Sequence, residues 1–216
     1  MQTLGLASEP KPTDGFVKRL LWPTIENEYD ADLVSQQGLW VCTAVGVLSL
    51  VMSLLAGSPL IGLLIAVTYW LGGCGVRERS FAAALLVFIC FLGDKLISIE
   101  AGVVGVPGGG GGNPLMGIVT LGLLFANVRA TLLSRRWSKE HSQDETGERP
   151  ERLTDSMGDK FSNVLPAKIW PVARFVFFPL AGVLLLLTLL SGIGLPFVKT
   201  AQRTPPASVT VYPSPR

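Results

Sequence analysis

LWVCTAVGVLSLVMSLLAGSPLIGLLIAVTYWLGGCG, residues 39–75, contains no charged side chain. As one α-helix it would run roughly 55 Å at about 1.5 Å per residue, nearly twice the ~30 Å hydrocarbon layer of a bilayer. The chain must therefore fold back within it. Gly57-Ser58-Pro59 is the place, since a proline in the first turn of the returning helix forfeits no internal hydrogen bond. This gives a first span at 39–57 and a second at 60–73.

Three further apolar stretches follow, at 81–99, 115–134 and 175–197. Backbone polar groups inside hydrocarbon must be paired within the segment, and no alternating barrel pattern is present, so the fold class is all-α: a polytopic membrane protein with about five transmembrane helices. Composition agrees. Of 216 residues, 49% are hydrophobic and only 16% charged, and the mean hydropathy is +0.46, which a soluble core does not absorb. The chain divides into an amino-terminal tail (1–38), helices one to three (39–98), a glycine-rich loop (99–114), helix four (115–134), a polar loop (135–174), helix five (175–197) and a proline-rich tail (198–216).

The cationic side chains set an orientation. Fourteen lysines and arginines fall on the side of the amino terminus, of the turn with Arg77 and Arg79, and of the 135–174 loop. Four, Lys95, Lys199, Arg203 and Arg216, fall on the other. The positive-inside rule puts the amino terminus in the cytoplasm and the carboxyl terminus outside a bacterial-type inner membrane. Trp22, Trp40, Trp70, Trp137 and Trp170 all border ends assigned to the cytoplasmic side, where indole favours the headgroup layer. The first fifteen residues lack the basic-then-apolar build of a signal peptide. The string LGGC, residues 71–74, has the form of a lipoprotein acceptor site, but Cys74 follows a second span and sits beside Arg77 and Arg79 on the inner side. Gly72, Gly73 and Gly75 are read instead as ending a helix and turning the chain.

The net charge of +2 and the lack of a basic patch interleaved with aromatics exclude nucleic acid as a partner. Cys42, Cys74 and Cys90 have no CxxC spacing and are read as buried thiols, so no metal site and no cofactor is expected. His141, the sole histidine, falls in the polar loop, so there is no HExxH, no histidine cluster and no Ser/His/Asp arrangement on a folded domain. The glycine run GVPGGGGGNP lacks the Gly-Lys-Ser/Thr ending of a phosphate loop. ENEYDAD, with Glu26, Glu28, Asp30 and Asp32, reads as a solvated acidic stretch. FVKRLLW, residues 16–22, suits a short helix in the headgroup layer. Met157, Phe161, Val164 and Leu165 have helical spacing, with Asp155 or Ser156 as caps, and are read as resting on the membrane.

Ionisable groups within a span are functional candidates by default, which singles out Asp94 and Lys95 in the third span and Arg129, with Asn127, in the fourth. Asp94 and Arg129 differ in height by about 11 Å, too far for a direct ion pair. The plain alternative is that the third helix ends near Leu92-Gly93 and both charges snorkel out. Cys42, Gly46, Ser49, Ser53 and Gly57 form one small-residue face in the first span, and Gly122, Ala126 and Ala130 another in the fourth. Such faces let helix backbones approach closely in lipid, so they predict contacts within the subunit or between copies. The function expected from these features is non-catalytic, that of a scaffold, assembly factor or accessory subunit whose environment is the bilayer and whose partner is another membrane protein or a second copy. The alternative is a small oligomeric transporter or channel subunit using Asp94 and Arg129.

Overall fold

The computed structural model describes residues 25, 28–104, 113–140 and 157–203. The 16–22 stretch, Glu26, His141, most of the glycine run, Asp155 and Ser156 lie outside the described residues. Five long helices, α1 (Glu28–Leu55), α2 (Pro59–Arg77), α3 (Phe81–Val104), α4 (Pro114–Glu140) and α5 (Leu165–Arg203), make up the bundle. A single α-turn (Met157–Asp159) and a π-helical segment (Lys160–Val164) lead into α5. Each of the five is long and apolar enough to cross a bilayer, so this is an integral, multi-pass membrane protein.

The helices outrun the apolar stretches that announce them. α1 begins at Glu28 and not at 39, and the polar loop read at 135–174 is helical up to Glu140 and again from Met157. The extra turns carry polar side chains, several of them packed within the bundle, Ser35 among them. α3 runs unbroken through Gly93 to Val104, so it does not end near Leu92-Gly93.

Four helices contact one another in a closed cycle, and the fifth packs along two of them. α1 pairs with α2 as an antiparallel hairpin, α2 touches α3, α3 touches α4, and α4 returns to α1. α5 lies along α2 and α3. Toward the Arg77 end the bundle is filled by Leu39, Cys42, Val76 and Leu124, while Ala83, Val87, Phe177 and Ala181 seal α3 and α5 to α2.

The glycines at 72, 73 and 75 do not end α2; the helix continues through them to Arg77. Each is a point of contact. A methyl added at Gly73 would lie 2.9 Å from the Cys42 Cβ of α1, while one at Gly72 would meet Val87 of α3 and Phe177 of α5. At Gly75 it would strike the Trp170 ring and lie 2.6 Å from the Ala83 Cβ. Without a hydrophobic force between helices in lipid, such backbone approach gives α2 its contacts on three sides.

Candidate functional site

Both interhelix turns beside α2 use the same device. After α1, the Ser58 N–H donates to the Ser53 carbonyl (2.8 Å) and the Gly57 N–H to the Leu54 carbonyl (3.1 Å), with Gly57 at φ +74°. After α2, the Ser80 N–H donates to the Gly75 carbonyl (2.9 Å) and the Arg79 N–H to the Val76 carbonyl (2.9 Å), with Arg79 at φ +57°. These are Schellman caps, whose left-handed residue is ordinarily glycine. An arginine there bears a Cβ penalty of about 1–2 kcal/mol. What it gains is side-chain contact: its guanidinium donates to the Ser134 hydroxyl of α4 (3.2 Å) and to Asp32 of α1 (3.4 Å).

Arg77, two residues earlier, is the largest fully buried side chain described, at 1% exposure. Its fork grips Asp32 with both nitrogens, Nη1 to Oδ1 at 2.8 Å and Nη2 to Oδ2 at 2.9 Å. Nη1 also donates to the Asp32 carbonyl (3.0 Å) and the Ser35 hydroxyl (2.8 Å), Nη2 to Asn163 Oδ1 (2.7 Å), and Nε to the Ser162 carbonyl (2.9 Å). This bidentate recognition is a geometry that guanidinium supplies and ammonium cannot.

The Ser162 carbonyl is free for this role for a reason legible in the chain. In an α-helix it would accept from the residue four positions on, which is Pro166, and proline has no N–H. The π-helical geometry falls at that point, Lys160–Val164, as expected where the normal ladder is interrupted. Gln36 adds a contact from its amide to the Ser162 hydroxyl (3.3 Å), and Trp40 and Phe161 stack with centroids 5.5 Å apart. The 157–165 segment is therefore bound to α1 and α2 rather than simply resting on the membrane, although Met157 itself is 86% exposed. Asp32 is likewise no solvated acid.

At the opposite half the bundle is not filled. A cavity of about 520 Å³ opens there, lined by residues of all five helices. Asp94 and Lys95 line it and pair with each other, Nζ to Oδ2 at 3.0 Å. The Lys95 ammonium also sits 5.1 Å from the centroid of the Phe91 ring. Arg129 is half-buried on α4 and does not line this cavity. Asn127 is buried among the helix contacts; its amide donates to the Leu123 carbonyl (2.7 Å), and its Oδ1 lies against Gly38 with no hydrogen-bond partner among the described residues.

Of the small-residue faces, Cys42, Gly46 and Ser53 lie against Gly73, Ala66 and Gly62 of α2. Ser49 lines the cavity, and Gly57 supplies the cap, with open space around it. On α4, Ala126 and Ala130 are buried, Ala130 beside Ala31 and Val34 of α1, and Gly122 is half-buried. The sequence reading missed Asp32, Ser35, Ser162 and Asn163 as a group. The one available signal was an acid three residues before Ser35 and a proline four after Ser162.

Among known proteins, no family model matches the chain, and neither do any curated protein sequences or solved structures.

Proposed function

We propose that this chain is a non-catalytic scaffold, assembly factor or accessory subunit of a bacterial-type plasma membrane. Its amino terminus faces the cytoplasm and its carboxyl terminus the outside. One observation carries the reading: the most buried charge among the described residues, Arg77, is committed to joining α1, α2 and the segment before α5. Groups that move protons or solutes must exchange partners or protonation state, whereas a guanidinium fork enclosed by fixed acceptors holds shape. The orientation rests on the cationic asymmetry. Setting aside Arg77 and Arg79, which Asp32 engages, leaves twelve lysines and arginines (fourteen less two) against four.

Purification in mild detergent with identification of co-purifying proteins tests this. A stable stoichiometric membrane partner, or a defined homo-oligomer, is expected; a lone monomer under every mild condition would overturn it. The cavity with its Asp94–Lys95 pair favours a second reading, a transporter or channel subunit. Under that reading Asp94→Asn abolishes solute or proton flux in reconstituted vesicles; under the first, no flux depends on Asp94.

A further inference from the structure

We propose that the cavity in the half of the bundle away from Arg77 is a binding site for a zwitterionic lipid amphiphile, one alkyl chain of which enters the void. The volume, about 520 Å³, falls in the range of about 300–1,000 Å³ found for small-molecule sites. Its walls are largely hydrocarbon: Val45, Leu48, Ile65, Leu121 and Leu184. An alkyl chain makes dispersion contact along these side chains, while Ser49, Tyr69, Asp94, Lys95 and Ser98 supply polar groups to the same lining.

Tyr69 identifies the floor. Its side chain is 6% exposed and lines the void, and no hydrogen bond reaches its hydroxyl among the described residues. The hydroxyl is not itself enclosed by protein but opens onto the void, so whatever fills that space within the bundle has to offer it an acceptor or leave a hydrogen bond unmade. The missing partner is supplied by an ester or glycerol oxygen of the bound lipid.

Charge selects the head. Asp94 and Lys95 sum to zero and already face each other at 3.0 Å. The two side chains are open on one side, Asp94 59% and Lys95 34% exposed, so an incoming head can reach both; a net anionic or cationic head would engage one of them and displace its present partner. A zwitterion inserts between the two and gives each a counter-charge, its ammonium to Asp94 and its phosphate to Lys95. Along α3 the lining groups Cys90, Asp94 and Ser98 follow in steps of one turn, with Cys90 beside Tyr69. The head therefore sits one turn above the Tyr69 hydroxyl, within reach of the glycerol linkage.

The test uses the full chain purified in a non-ionic detergent, titrated with three single-chain probes and read as bound adducts by native mass spectrometry. The probes are lysophosphatidylethanolamine, anionic lysophosphatidylglycerol and a cationic alkyltrimethylammonium. The expected result is one zwitterionic probe per chain in preference to the other two. Tyr69→Phe should weaken it about tenfold, the worth of one buried hydrogen bond. Asp94→Asn should turn the preference toward the anionic probe, an effect that general loosening of the bundle would not produce. Ser49→Phe, which fills the void, should abolish binding with helicity and thermal midpoint retained. Equal binding of all three probes by the unaltered chain, or a preference that Asp94→Asn does not move, overturns the proposal. If Ser49→Phe fails to fold, the Asp94→Asn switch decides alone. Loss of this site would leave the scaffold reading intact, since that reading rests on Arg77.

Discussion

Arg77 and Asp32 are 45 residues apart in sequence, and Ser162 and Asn163 lie 85 and 86 residues beyond Arg77. Local pattern carries no trace of such a meeting, which is why Asp32 reads as solvated and Arg77 as a topogenic charge. Removing one partner of a buried, hydrogen-bonded ion pair leaves the other uncompensated. Arg77→Met is therefore expected to lower stability by about 3–5 kcal/mol, measured by reversible SDS unfolding in mixed micelles. Arg77→Met with Asp32→Leu should cost clearly less than the two single changes added together; strict additivity would show that the pair does not act as a unit. Arg79 gives a sharper comparison. Arg79→Ala keeps the left-handed backbone strain and discards the contacts to Ser134 and Asp32, whereas Arg79→Gly discards the contacts but removes the strain. The alanine variant should be the less stable by about 1 kcal/mol in the same assay. The reverse order would mean that Arg79 is not held at positive φ.

The number of helices, and the hairpin at Gly57-Ser58-Pro59, could be read from the chain because hydropathy and turn chemistry are local properties. The end of α2 could not. Glycine after an apolar run signals a cap in water-soluble proteins, but in lipid the same residue is what permits close helix contact. Gly72 and Gly75 are three residues apart and so share a face, toward α3 and α5, while Gly73 turns about 100° away to meet α1. Gly57 and Gly75 thus do different work, and substitution separates them. Gly57→Ala has open space and positive φ, so it should cost about 1 kcal/mol whatever surrounds it. Gly75→Ala forces a methyl into Trp170 and Ala83, an overpacking expected to cost about 1–3 kcal/mol. Trp170→Leu combined with Gly75→Ala should recover part of that loss, as judged by thermal midpoints in detergent, and should recover none of the Gly57→Ala loss. Recovery in both pairs would show that Trp170 is not the obstacle.

For the whole molecule, the two halves of the bundle are built on different terms. The Arg77 end is filled and tied by charge-assisted hydrogen bonds, while the other end holds a void whose lining includes an exposed ion pair. Which half faces the cytoplasm follows from the lysines and arginines, and the native thiols make a direct measurement practicable. Cys42, Cys74 and Cys90 are all buried, so a membrane-impermeant maleimide should react with them slowly and leave a low background. Asn113→Cys places a thiol at the exposed amino-terminal cap of α4, where the native Oδ1 accepts from the Leu115 N–H at 3.0 Å. Losing that cap costs about 1 kcal/mol, which does not threaten a multi-helix bundle. Met157→Cys places a thiol at the opposite end, on a highly exposed side chain. In intact cells the first should label at once and the second only after permeabilisation. Labelling of Met157→Cys from outside with protection of Asn113→Cys would invert the orientation. The void would then open to the cytoplasmic leaflet, and the excess of basic residues would have to be explained by anionic lipid or partner binding on the outer face.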